Sequence, residues 1–285
     1  MRPDHRSGLW FFSARLSVSF EGMDPFMTSD QLDNLFARTL VGDYDDEAPW
    51  AAIHELRRGG SREVFDRAAA WCRSDNPFLR ARAVDVLAQI GKGADHPEHS
   101  FPTESYAIVS SLLQQEHEPQ PLMSAIYALG HIDNPEAVPL ITAYRFHTNP
   151  DVRYAVAFAL ASFPNNPQSI ESLLTLLRDS DDDVRDWATF GLGVLGDADS
   201  LEIRDALFRQ LSDPNQDVRE EAMSGLAKRQ DQRVLASLIK SLEQPDVAVP
   251  VIEAARAMLG RDHDDEPGNT QDYREALKTR FPDAV

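Results

Sequence analysis

Two histidines and a glutamate in one short stretch are the first candidates for metal chemistry. His96, Glu98 and His99 lie in KGADHPEHSFPTE, residues 92–104, and imidazole and carboxylate groups are common zinc ligands. A structural zinc site needs four ligands, and no other ligand set accompanies these three in the sequence. The pattern therefore favours a solvent-exposed loop, and we predict neither a metal ion nor a cofactor.

A glycine-rich stretch and a single cysteine are the next candidates. GLGVLG, residues 191–196, matches the spacing of a dinucleotide-binding loop, but that loop must lie between a strand and the start of a helix. Here the glycines close a helix, whose start Asp182 or Asp183 can cap. Cys72 falls in the helix-like stretch REVFDRAAAWCRS, where a buried structural thiol is expected. Neither feature predicts catalysis.

Helical stretches that recur along the chain must position these side chains. Most carry an Ala-rich middle and a shared Leu, which the last stretch lacks, and each follows a second amphipathic stretch. Six align without gaps, 76–91, 118–132, 149–163, 181–196, 215–229 and 246–260, and a weaker seventh covers 46–58. Asp, Pro and Asn turns between the two stretches cap and start helices.

The repeated unit is therefore a helix pair of roughly thirty residues, and a single pair cannot bury both of its faces. Neighbouring pairs must stack, which predicts an all-α, right-handed α-solenoid of about seven pairs over residues 28–260. The interval that contains 92–104 is longer than the others, so we expect a loop insertion there. Residues 1–27 are expected to be a leader outside the fold, and 261–285 a hinge with a C-terminal capping helix.

Asp-x-Val-Arg followed by an Ala-rich middle and Leu-Gly resembles the bacterial HEAT repeats that also occur in phycobilisome lyases. NPDVR, DDDVR and NQDVR are the best matches, and the resemblance covers roughly residues 30–260. It implies a solenoid fold, but this fold serves many functions. The run from SDDDVRDWATF to LSDPNQDVREEAMSGLAKR is also similar to HEAT proteins encoded beside Rhs-type toxins, which implies an immunity protein as one candidate.

Some HEAT proteins, the deoxyhypusine hydroxylases, carry iron on His-Glu pairs that recur on the second helices. The His-Glu pairs of this sequence are His54-Glu55, in a divergent repeat, and His117-Glu118, before its helix. The regular repeats carry Asp186-Trp187 or Glu220-Glu221 at the second-helix positions instead. The resemblance therefore does not extend to a diiron site.

Four arginines occupy the same position of their repeats, and two explanations fit them. They could form a phosphate-binding ladder, or they could form ion pairs between repeats. Three of the four follow an aspartate by two residues, which favours a structural Arg–Asp ladder. The arginines are Arg80, Arg153, Arg185 and Arg219, and the aspartates are Asp151, Asp183 and Asp217.

Large aromatic side chains lie off the core-facing stripe of the second helices. At about 100° per residue, the positions one and five residues after the shared arginine position point away from the core. Second helices line the concave face of HEAT solenoids, so the resemblance places these side chains in a groove with an acidic rim. The predicted partner-binding residues are Met123, Tyr127, Tyr154, Phe158, Asp186, Trp187, Phe190 and Glu220. The alternative is that the rings pack together as a second layer of core.

The charge of the chain restricts its partners. With 47 acidic and 28 basic residues the net charge is −19, which repels nucleic acid and anionic membranes and attracts a basic protein or peptide. The N-terminal stretch lacks a cleavage site of small residues, which favours a cytoplasmic protein. We predict a non-catalytic scaffold that binds a protein or peptide, such as an immunity or regulatory partner. The alternative, implied by the repeat type, is a bilin lyase-like chromophore-binding enzyme subunit.

Overall fold

A computed structural model describes residues 28–93, 98–261 and 269–282, and over these ranges the chain is helical without a strand. The predicted leader, 1–27, and all but the first residue of the predicted hinge, 261–268, lie outside the described residues. The helices are α1 Ser29–Arg38, α2 Glu47–Gly59, α3 Arg62–Trp71, α4 Pro77–Ala88, α5 Pro102–Gln115, α6 Pro119–Ile132, α7 Val138–Thr142, α8 Pro150–Ala161, α9 Pro167–Leu176, α10 Asp182–Phe190, α11 Leu201–Gln210, α12 Gln216–Lys228, α13 Leu235–Ser241, α14 Val249–Leu259 and α15 Thr270–Arg280.

Within the described ranges the helices form seven consecutive pairs, α1/α2 to α13/α14, and α15 follows them. This confirms the all-α repeat fold. Asn and Asp side chains start the second helices as the turns predict; for example, Asn215 accepts hydrogen bonds from the backbone N–H groups of Asp217 and Val218. The cap of α10 is Asp181 rather than Asp182 or Asp183, because Asp181 is the last residue with extended backbone. Its carboxylate accepts from the N–H of Val184, 3.2 Å away.

The chain divides into two compact units, a first unit of residues up to Ala159 and a second unit from Leu160 onwards. In each unit, fully buried Ala, Val, Leu and Ile side chains make the core. They include Ile53, Val84, Leu87, Leu113 and Leu129 in the first unit, and Leu173, Val184, Leu207, Val218 and Leu226 in the second. Burial of each such side chain contributes about 1.5–3 kcal/mol.

In the described ranges, no helix combines the length and apolar character that a bilayer crossing requires.

The recurrent arginines tie one repeat to the next within each unit. Arg80 donates to both carboxylate oxygens of Glu116 at 2.7 and 2.9 Å and to the carbonyl of Ser74. Arg185 bonds Asp213 in the same way, at 2.7 and 2.9 Å, and the carbonyl of Asp179. Two of the four predicted arginines therefore pair with the next repeat, but the acid is not the aspartate two residues before the arginine. It lies in the turn between the two helices of the following pair.

The glycines of residues 191–196 close a helix, as predicted. Gly191–Leu195 form one turn of π-helix at the end of α10. A Cβ added to Gly225 would lie only 2.7 Å from the Cα of Gly193, so the two backbones need glycine to approach this closely. Arg229, which is 7% exposed, donates to five carbonyls here, those of Leu192, Gly193, Gly196, Ala198 and Gly225.

Candidate functional site

A groove in the first unit is the candidate site. Its walls come from α2, α4, α6 and α8, the second helices of four consecutive pairs, and its cavity volume is about 940 Å³. The positions one and five residues after the shared arginine position line it, as the helical spacing predicts. These are Trp50, His54, Asp85, Met123, Tyr127, Tyr154 and Phe158.

Four of the eight predicted binding residues come together in this groove. Tyr127 lies edge-on to Phe158, with ring centroids 5.1 Å apart, and 6.4 Å from the ring of Tyr154. Met123 and Tyr127 are half-buried and present surface to the groove, whereas Tyr154 and Phe158 are 1% and 2% exposed. The exposure expected for the last two is not found, because the rings pack on one another as the second-layer alternative describes.

The other four predicted residues lie in the second unit. Trp187 and Phe190 pack edge-on, with centroids 5.6 Å apart, and are 1% and 7% exposed. Asp186 and Glu220 are also buried, and Glu220 accepts a hydrogen bond from the side chain of Gln216 at 2.7 Å. The exposure expected from the helical spacing is not found for these four, and their contact with a partner stays a prediction.

The groove has an acidic balance. Asp45, Asp85, Glu118 and Asp151 line it, against the single guanidinium of Arg57. Arg57 donates twice to the backbone carbonyl of Asp85, at 2.7 and 2.9 Å. His131 adds no positive charge, because burial and then the nearby Arg57 and Lys92 lower its pKa to about 3.

One end of the groove holds a polar network that the sequence analysis missed. The hydroxyl of Tyr44 lies 2.7 and 2.9 Å from the carboxylate oxygens of Asp85 and 2.8 Å from the hydroxyl of Ser124. Burial raises the pKa of Asp85, while the hydrogen bond from Tyr44 and the charge of Arg82 oppose that rise. In the sequence this end of the groove is marked by Arg82, a charged residue two positions after the shared arginine position of α4, and the structure buries it to 0% exposure.

One of the three candidate metal ligands, His99, makes hydrogen bonds within the protein. His99 uses both ring nitrogens, because Nε2 lies 2.8 Å from the carbonyl of Leu87 and Nδ1 accepts from the N–H of Phe101 at 3.1 Å. His96 lies outside the described residues. The predicted loop, 92–104, is shorter than expected, because Pro102 starts α5. Glu55 pairs with Arg38 at 3.5 Å rather than with a metal-binding neighbour.

Comparisons with known proteins agree with this architecture. A family model described as HEAT repeats matches residues 106–193 and 176–259. Protein YibA of Escherichia coli strain K12 is 43% identical over 230 residues, which cover 78% of this chain and 79% of that protein. The X-ray structure of E. coli YibA superposes with a TM-score of 0.66 over 91% of this chain and 99% of that chain, at 24% identity, and shows the same fold.

A more distant relative has a named activity. Phycocyanobilin lyase subunit alpha of Thermosynechococcus vestitus is 28% identical over 146 residues. The match covers 51% of this chain and 53% of that protein, so the chain spans about half the length of this relative.

Proposed function

The chain belongs to the HEAT-repeat family, and from this premise we propose that it is a non-catalytic scaffold that binds a basic segment of a partner protein or peptide in the groove of its first unit. The observation that carries the proposal is the surplus of carboxylates around aromatic walls. Asp45, Glu118 and Asp151 line the groove with the one guanidinium of Arg57, while Asp85 is buried against Tyr44 and Arg82. A basic segment complements the carboxylates and the aromatic walls. Its positive charges can pair with the carboxylates, and the aliphatic carbons and cationic groups of its side chains can pack on the rings.

Direct contact is assigned to Met123 and Tyr127, because they are the predicted residues with surface in the groove. Tyr154 and Phe158 hold the ring of Tyr127 in place from below. Aromatic contacts of this kind usually dominate binding energy, while rim charges set association rate and selectivity. An immunity or regulatory partner with a basic contact segment fits this chemistry. The four predicted contacts in the second unit stay predictions: Asp186, Trp187, Phe190 and Glu220. The experiment below therefore tests residues of the first unit.

The test is the binding of a fluorescein-labelled peptide of alternating arginine and alanine, followed by fluorescence anisotropy. We expect binding that weakens as ionic strength rises, since Asp45 and Glu118 are exposed to solvent and Asp151 is half-buried. The double variant Glu118→Gln/Asp151→Asn should bind about threefold to tenfold more weakly, and Tyr127→Ala about tenfold more weakly.

A matched control removes two charges elsewhere. Glu171 and Glu202 are exposed carboxylates on α9 and α11 of the second unit. Glu171→Gln/Glu202→Gln changes the net charge by the same amount as the groove double variant. Equal losses in the two double variants would mean that only net charge attracts the peptide, and the groove proposal would then be wrong.

A chromophore-binding role is the second candidate. It is favoured by the 28% identity to a phycocyanobilin lyase subunit together with a groove walled by aromatic rings. Free phycocyanobilin added to the wild-type protein should then show a shifted absorption band that Tyr127→Ala loses. An unchanged spectrum at saturating protein would exclude this role.

A further inference from the structure

The acidic end of the groove is filled by a side chain of the protein itself. Tyr44 belongs to the connection between α1 and α2, and we name residues 40–46 the strap. The guanidinium carbon of Arg82 lies 4.2 Å from the centre of the Tyr44 ring. Trp50 and Phe78 meet that ring edge-on, with centroids 5.9 and 6.4 Å away.

The cavity around Tyr44 is specific for a phenol. The guanidinium of Arg82 covers the face of the Tyr44 ring, and aromatic rings cover its edges. The Tyr44 hydroxyl lies within hydrogen-bond distance of the carboxylate of Asp85 and the hydroxyl of Ser124. A lysine or arginine side chain would be repelled here by Arg82. An unsubstituted ring would leave the buried carboxylate of Asp85 without its hydroxyl donor.

The network around Tyr44 is incompletely satisfied. Arg82 is 0% exposed, yet its Nε and Nη1 have no hydrogen-bond acceptor among the described residues. Nη1 reaches the carboxylate of Asp85 only at 3.6 Å, and Nη2 donates to the backbone carbonyl of Tyr44 at 3.0 Å. Unsatisfied buried donors are costly, so a state that supplies acceptors to Arg82 competes well with the one in which Tyr44 is seated.

The strap can leave the groove without breaking a helix. Its turn is closed by local hydrogen bonds, because the N–H of Asp43 donates to the carboxylate of Asp46 and the N–H of Asp46 donates to the carbonyl of Asp43. Gly42, with φ of +82°, provides the left-handed residue of the turn. Val41 to Asp43 and Asp45 to Asp46 are exposed.

We propose that the strap is displaced on binding and that a tyrosine side chain of the partner takes the place of Tyr44 against Arg82, Asp85 and Ser124. This rests on the proposed function, since the tyrosine belongs to the basic segment that the groove receives. The backbone of that segment supplies hydrogen-bond acceptors to Nε and Nη1 of Arg82. Tyr44 is then an internal competitor that lowers affinity for partners without a matching tyrosine.

The first test compares three labelled peptides of arginine and alanine, with tyrosine, phenylalanine or alanine at the centre. Tyr44→Ala should bind the tyrosine peptide at least about tenfold more tightly than the wild type does, because the competitor is gone. It should also prefer the tyrosine to the phenylalanine peptide by about tenfold, the ratio expected for a hydrogen bond to a charged group. Tyr106→Ala, a matched truncation outside the groove, should bind all three peptides as the wild type does.

A second test works without a peptide. The compound p-cresol should raise the Tm of Tyr44→Ala by filling the vacated space, and toluene should raise it less. The wild type should respond to neither compound. Equal stabilisation of both proteins by p-cresol, or of Tyr44→Ala by both compounds, would overturn the phenol pocket. If Tyr44→Ala does not fold, Tyr44→Phe should bind the tyrosine peptide severalfold more tightly than the wild type, and unchanged affinity would overturn the displacement.

The two proposals fail separately. A wild-type protein that binds none of the three peptides contradicts the proposed function, while the p-cresol measurement still decides whether the pocket recognises a phenol. If the alanine peptide binds but Tyr44→Ala gains no affinity for the tyrosine peptide, the displacement is wrong and the basic groove stands.

Discussion

Two buried arginines, Arg229 in the second unit and Arg82 in the first, use their donors in opposite ways. In the second unit, Arg229 meets five backbone carbonyls and fixes the turn of π-helix after α10. In the first unit, Arg82 makes one hydrogen bond, to Tyr44, and leaves Nε and Nη1 without an acceptor among the described residues. Within the described part of the chain, the fold therefore satisfies all the donors of one buried arginine and leaves part of the other unsatisfied, at the place where we propose that a partner binds.

The largest loss of stability is expected on replacing Arg229, whose donors all have acceptors. Arg229→Met removes the donors of five carbonyls and should lower the free energy of unfolding by about 3 kcal/mol. Urea denaturation followed by circular dichroism measures this, with Arg178→Met, an exposed arginine of the same unit, as the control. A loss no greater than that of the control would mean that the carbonyl contacts do not set the stability of the second unit.

The next largest loss of stability is expected where Gly225 and Gly193 of the second unit are in contact. Gly225→Ala places a methyl 2.7 Å from the Cα of Gly193, and overpacking should outweigh the better helix propensity of alanine. We expect a net loss of about 1–2 kcal/mol in urea denaturation. Gly93→Ala is the control, since its Cβ would meet nothing within 4 Å. Gly225→Ala as stable as the wild type would show that the backbones can separate at little cost.

A smaller effect with a defined pH dependence is expected in the first unit. Burial raises the pKa of Glu116, whereas hydrogen bonds from Arg80 and from the N–H groups of Glu118 and His117 lower it. The lowering is the larger effect, so the pKa of Glu116 lies below its usual range. A lowered folded pKa adds stability above the unfolded pKa, about 4.3, and this is lost as the pH falls through the folded value.

Glu116→Gln should therefore cost about 1–2 kcal/mol at neutral pH and progressively less below about pH 4. Denaturation curves of both proteins across this range give the difference. A cost that persists unchanged into acid would assign it to packing rather than to the carboxylate charge.

The smallest stability effect is expected at the groove surface. Met123→Ala should cost less than about 1 kcal/mol, because the side chain is half-buried, yet weaken binding of the arginine peptide severalfold. Met258→Ala, at a fully buried position of the second unit, should cost about 2–5 kcal/mol. Similar costs at the two positions would contradict the distinction between a binding surface and a packed core.

The helix pairs could be predicted because their signals are local. Asn and Asp caps and helical spacing act within a few residues, as at Asn215, and the cap of α10 was missed by a single residue, at Asp181. The groove positions of Met123 and Tyr127 followed from the same spacing. The burial of Trp187, which is 1% exposed, did not, because the spacing of residues along one helix does not say which other elements cover its outward face. The Tyr44 network could not be predicted, because it joins residues 41 and 80 positions apart in the sequence.

The arginine pairs between repeats also have an evolutionary consequence. Arg80 and Arg185 each use a carbonyl six residues earlier and a carboxylate six residues before the shared position of the following repeat. A gene segment that encodes one whole repeat thus carries an arginine for the repeat after it and an acid for the repeat before it. Duplication or loss of such a segment rejoins matching halves, so the chain can change length by whole repeats without a new contact having to arise.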